Sequence, residues 1–101
     1  MTERTRQSLK FGTAAEAKTA ASAVKAKTES QTLAAANLAR VSLYITNNGA
    51  KTVWLALGPT AVAETGIMLS AEGGSTTIND YLGIVTVITK ESESVVSFSE
   101  V

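Results

Sequence analysis

The chain contains no cysteine and no histidine. Disulfides, thiolate nucleophiles, Cys/His zinc sites and imidazole acid–base catalysis are therefore excluded together. A lack of cysteine is compatible with every redox compartment and assigns the chain to none. Proline occurs once, at Pro59, and the aromatic residues are few: Phe11, Tyr44, Trp54, Tyr81 and Phe98. No apolar run approaches the roughly 18 residues that a membrane-spanning helix needs, so no membrane span is expected. Residues 1–10 are polar and charged where a signal peptide has an apolar core. A cytoplasmic origin is the expectation.

Chemistry is sparse among the residues that remain. A catalytic site needs a nucleophile with a base, or a carboxylate pair held at working distance. Glu91 and Glu93 are close in sequence but fall in a polar turn, where solvated surface charge is the simpler reading. Asp80 follows Asn79 in a turn that it can hydrogen-bond itself, and these two do not supply the several oxygen ligands of a calcium site. The Gly73-Gly74 pair belongs to neither a dinucleotide-binding nor a P-loop motif. No catalytic, cofactor or metal residue is expected, and the chain reads as a non-enzymatic binding or structural protein.

The formal charge is zero, but it is unevenly spread. Residues 1–39 carry Arg4, Arg6, Lys10, Lys18, Lys25 and Lys27 against Glu3, Glu16 and Glu29. Residues 40–101 carry Arg40, Lys51 and Lys90 against Glu64, Glu72, Asp80, Glu91, Glu93 and Glu100. Parts of opposite sign attract each other, or complementary neighbours, at short range. Nucleic-acid binding would call for denser basic residues and aromatic stacking platforms, so it is not expected.

Two regions differ in grammar. Residues 1–36 read as a basic N-terminal arm. Between Thr13 and Lys27 the chain is rich in Ala, Lys and Thr, with Thr13 and Glu16 spaced as a capping box. Val24 is the one bulky apolar residue in that stretch, too little to hold an isolated helix. An extended or partly helical arm that orders on a partner is the expectation. Its partner-facing residues would be Arg4, Arg6, Lys10, Lys18, Lys25 and Lys27 against acidic surface, with Phe11, Val24 and Leu33 as apolar pins.

From Gln31 onward the text becomes short strands broken by turns, and residues 37–101 read as one β-domain. Val41, Leu43 and Ile45 alternate with Ser42, Tyr44 and Thr46, the period of a half-buried strand. Asn47-Asn48-Gly49 predicts a hairpin into a return strand over 52–57, which Gly58-Pro59 stops. Ile67–Leu69, Ser75–Asn79, Gly83–Thr89 and Glu93–Glu100 follow, with turns at Glu72-Gly73-Gly74, 80–83 and 90–92. The stretch Gly83–Thr89 is apolar on both faces and belongs in the middle of a sheet. Five or six strands at about ten-residue spacing predict a small, all-β antiparallel sandwich or barrel. Such a short domain, with neither disulfide nor metal, is often completed by oligomerisation. In the expected hairpin Tyr44 and Trp54 lie together opposite the Leu43/Leu55 stripe, a pair suited to the centre of an interface.

Over residues 37–101 the order of features resembles small virion proteins of tailed bacteriophages. The resemblance is carried by Asn37-Leu38-Ala39-Arg40, Leu43-Tyr44-Ile45-Thr46-Asn47, Val53-Trp54-Leu55-Ala56-Leu57-Gly58, Gly66-Ile67-Met68-Leu69, Gly73-Gly74 and Tyr81-Leu82-Gly83-Ile84-Val85. It departs at Glu91-Ser92-Glu93, where the pattern has a glycine-containing turn. The resemblance implies a short β-sandwich bound to the head as a capsid decoration (cement) protein, or to the tail or a fibre base. Its partner would be the major capsid protein or another virion protein, and its location the virion, assembled in the host cytoplasm. Together with the arm, it implies a homo-oligomer, with a trimer favoured.

Overall fold

The computed structural model describes residues 20–101, which form eight β-strands in two four-stranded antiparallel sheets. The strands are β1 (Ala20–Ala26), β2 (Gln31–Ala34), β3 (Ser42–Asn47), β4 (Val53–Ala56), β5 (Ile67–Leu69), β6 (Ser75–Asn79), β7 (Val85–Thr89) and β8 (Ser94–Glu100). The first sheet has the order β1-β8-β3-β6 and the second β2-β7-β4-β5. Only the β4–β5 link joins neighbours within one sheet; every other connection crosses to the opposite sheet. The inner faces share one core, in a sandwich-like arrangement. Leu43, Ile45 and Val96 come from the first sheet and Val53, Leu55, Val85 and Val87 from the second.

The period-two pattern sets the faces as expected. In β3 Leu43, Ile45 and Asn47 are buried while Tyr44 is exposed; in β4 Val53 and Leu55 are buried. The apolar strand β7 is buried at every residue and sits between β2 and β4.

Three expectations are corrected. There are eight strands, not five or six. The two extra strands come from the expected arm, whose residues 20–34 enter the sheets as β1 and β2, and no helix forms among the described residues. Both strands lie at a sheet edge, where a strand need only close the core rather than fill it. Ala26 and Ala34 are small enough to do so, and both are buried. Lastly, Asn47-Asn48-Gly49 does not close a hairpin, because β3 and β4 lie in different sheets.

The Asn47 side chain explains that crossing. Its position continues the inward parity of Leu43 and Ile45, so its amide is carried into the interior. Nδ2 faces the carbonyls of Lys51 at 2.7 Å, Leu69 at 3.1 Å and Ser70 at 3.1 Å. Oδ1 accepts from Gly49 N at 3.1 Å and Ser94 Oγ at 2.8 Å. A buried amide must find partners for all its polar atoms, and here they come from both sheets. Gly49 packs so closely on β8 that a Cβ there would collide with Ser94 and with the Val95 amide.

Arg40 forms a second polar tie just before the other end of β3. It is 3% exposed. Nε donates to Glu100 Oε2 at 2.9 Å, with Nη2 2.8 Å from the same oxygen. Nη1 donates to the carbonyls of Tyr81 and Gly83, at 3.0 and 2.9 Å, and Nη2 to that of Ala35 at 2.7 Å. Each guanidinium donor thus has a partner, the condition under which a buried charge is tolerated.

Candidate interaction surfaces

The outward faces of the two sheets differ in what lies over them. In the second sheet Thr86 and Ile88 alternate with the inward residues of β7, yet both are buried. The 57–66 segment between β4 and β5 covers them. Thr86 Oγ1 donates to Gly58 O at 3.0 Å, Ala61 N donates to Ser30 Oγ at 2.9 Å, and Ala61 is buried. Lys90 Nζ meets Glu64 Oε2 at 2.8 Å and fastens the far side. That hydrogen bond, reinforced by the charges of Glu64 and Glu91, holds the Lys90 ammonium above its ordinary value of 10.5.

No segment among the described residues lies over the first sheet. Its outward residues are Ala23 and Lys25 on β1, Ser42, Tyr44 and Thr46 on β3, Ser75, Thr77 and Asn79 on β6, and Val95, Ser97 and Ser99 on β8. Tyr44, 47% exposed, stands between Ser99 and Thr77 in register. Ser42 Oγ donates to Asn79 Oδ1 at 2.6 Å and Asn48 Nδ2 to Ser97 Oγ at 2.8 Å. The surface is hydroxyl-rich and uncharged around one aromatic ring. Lys25, 3.7 Å from Glu93, marks its far end.

Trp54 faces outward from the second sheet, in register with Ile88 and Met68, and is half-buried. It lines an open depression of about 270 Å³ with Lys51, Lys90, Glu91 and two alanines. Lys51 and Glu91 are 3.9 Å apart across it. Tyr44 and Trp54 therefore occupy opposite outer faces, and the expected aromatic pair on one side of a hairpin does not form. Tyr44 remains a surface residue on the uncovered face.

The other expected interface residues separate into three groups. Leu33 is buried in the core and Val24 packs against it, so neither is free to pin a partner. Their inward parity on β1 and β2 would have been the signal, had those strands been legible. Lys25 and Lys27 are exposed on and beside β1, and the Lys27 carbonyl accepts from Thr89 N at 2.8 Å. Arg4, Arg6, Lys10, Phe11 and Lys18 lie outside the described residues. Sequence reasoning missed Arg40 and Asn47 as organising residues. At Glu91-Ser92-Glu93, Ser92 takes φ 61°, the left-handed conformation that a glycine would supply, and Thr89 Oγ1 donates to its carbonyl at 2.7 Å.

Among the described residues, no group of three or more His, Cys, Asp or Glu is placed to hold a metal ion, and no helix is long and apolar enough to cross a membrane. Fold and surfaces together define a small all-β, two-sheet domain. Comparisons with family models, with curated proteins and with solved structures returned no match.

Proposed function

We propose that the chain is a non-enzymatic structural protein of a phage virion, a capsid decoration protein that binds the major capsid protein and stabilises the head. The observation that carries this reading is the asymmetry of the two sheets. A domain that covers one outer face with its own loop and leaves the other bare, centred on Tyr44 and charged only at its Lys25–Glu93 end, offers that face to another protein. Polar, hydroxyl-rich surfaces with a rigid aromatic anchor suit protein recognition. The strand-and-turn resemblance over residues 37–101 supplies the virion context. The arm of this reading is confined to residues 1–19, since Ala20–Ala26 and Gln31–Ala34 are strands of the two sheets. Assembly as a homo-oligomer, a trimer foremost, adds avidity through effective concentration.

Virions lacking the protein should assemble but lose DNA on heating or at low salt. Unchanged particle stability sinks the decoration reading. Mass spectrometry of separated heads and tails tells the head from the second placement, a tail or fibre-base protein. The uncovered Tyr44 face also favours a host-surface module for a glycan or receptor. In that case Tyr44→Ala abolishes binding to host cells and leaves particle stability untouched.

A further inference from the structure

The 57–66 segment buries Thr86 and Ile88 but leaves the second sheet open at Trp54. Trp54 stands in register between Ile88 on one side and Met68, 58% exposed, on the other. It is the chain's only tryptophan. Its side chain lines the open depression of about 270 Å³, and Lys51, Thr52, Lys90 and Glu91 stand around it. Two alanines complete the lining, and their small side chains keep the hollow open. The depression lies at the Asn47 end of the body, away from the Arg40 pole.

Both sides of the rim are fixed from beneath. Lys51 N donates to Ser94 Oγ at 3.4 Å, and the Lys51 carbonyl accepts from the buried Asn47 amide at 2.7 Å. Across the hollow, Thr89 Oγ1 donates to Ser92 O at 2.7 Å and closes the turn that carries Lys90 and Glu91. Lys90 Nζ is itself held by Glu64 Oε2 at 2.8 Å. A rim set before a ligand arrives lowers the ordering cost of binding. Lys51 Nζ and Glu91 Oε1, by contrast, stand 3.9 Å apart, beyond hydrogen-bond distance. That spacing admits a third polar group that accepts from Lys51 and donates to Glu91.

We propose that this depression is a binding site for an uncharged hexopyranose, the exposed end of a glycan. The C–H face of the sugar ring packs on the Trp54 indole, an apolar body against an aromatic one. Two neighbouring hydroxyls span the rim, one accepting from Lys51 Nζ and the other donating to the Glu91 carboxylate. Charge and shape decide against other flat ligands. Lys51 and Lys90 are balanced by Glu91 and Glu64, so the site offers no net attraction to a phosphate or a carboxylate. A nucleobase would find one stacking plane and, for its phosphate, two carboxylates close by. A hydroxylated ring brings the donors and the acceptors that a mixed lysine and glutamate rim requires. The site lies on the outer face opposite Tyr44, stays accessible when the first sheet is occupied, and does not depend on the virion reading.

Trp54 reports on its own occupancy. The full-length chain is titrated with the methyl glycosides of glucose, galactose, mannose and N-acetylglucosamine while tryptophan emission is followed. At least one should give a saturable change with a Kd of about 1–10 mM. Lys51→Met and Glu91→Gln, both on the open rim and checked for fold by circular dichroism, should each weaken that binding about tenfold. Emission that responds to none of the four sugars up to about 100 mM overturns the proposal. So does binding that survives both substitutions, as a sugar on the Tyr44 face would. Tighter binding of adenosine monophosphate or glucuronate than of every neutral glycoside also overturns it. The titration uses the isolated chain, so its failure leaves the decoration reading standing, and unchanged particle stability leaves this site standing.

Discussion

Ile88 in the second sheet and Tyr44 in the first both point away from the shared core, yet Ile88 is 8% exposed and Tyr44 47%. The difference lies in the 57–66 segment, which lies over the second sheet and has no counterpart over the first among the described residues. A strand apolar on both faces needs a layer on each side, and β7 obtains its outer layer from the chain itself. A sheet whose outward residues are Ser, Thr and Asn needs no such layer for stability. What covers one face is thus part of the fold, while the other face stays open among the described residues.

The sharpest way to break the comparison is to cut a tie that both sheets share. Arg40→Ala leaves Glu100 partly buried without its cation and frees three carbonyls, so about 3–5 kcal/mol of unfolding free energy should be lost in urea titrations. A loss below 1 kcal/mol would mean that the pole is not a joint between the sheets. Next in size is the contrast between outer faces. Ile88→Ala should cost about 2–5 kcal/mol, as for a core residue, whereas Tyr44→Ala should cost about 1 kcal/mol or less. Equal losses would show that the faces do not differ.

The patterns visible in the sequence were those with a local cause. Leu43 and Ile45, and Val53 and Leu55, show their inward parity directly, and the double-sided apolarity of β7 places it centrally. Val41 and Leu57 continue those stripes in sequence but lie just outside β3 and β4, and both are exposed. The cross-sheet connections have no local cause. Asn-Gly after a β-like run is a hairpin signal on its own terms, and only the contacts of Asn47 with residues far along the chain reveal a crossing. An alanine-rich stretch likewise carries helix propensity, and nothing within it announces that β8 is waiting to pair with β1. Of the expected interface residues, Tyr44 keeps an open face, while Leu33 and Val24 belong to the core because their strands are set by partners more than fifty residues away.

The smallest effect concerns the fastening of the covering segment. The folded state holds the Lys90 proton more tightly than the unfolded chain does. The stability it adds is therefore fully present below the ordinary lysine value and lost as pH rises through the folded one. Denaturation midpoints of the wild type and Lys90→Met should differ slightly near neutrality and converge above pH 10.5. A gap that widens in alkali would assign the fastening to another group.

Strand β8 pairs with both β1 and β3, and its Glu100 holds Arg40. Strand β1 can thus find its neighbour only after β8, more than sixty residues further along the chain, has been made. Sheets assembled from such distant partners form slowly, in milliseconds to seconds. The second sheet, by contrast, has all four of its strands before β8 is reached, and only the first sheet must wait for it. The closing strand of the chain is thus the one that joins β1 to β3 and completes the first sheet.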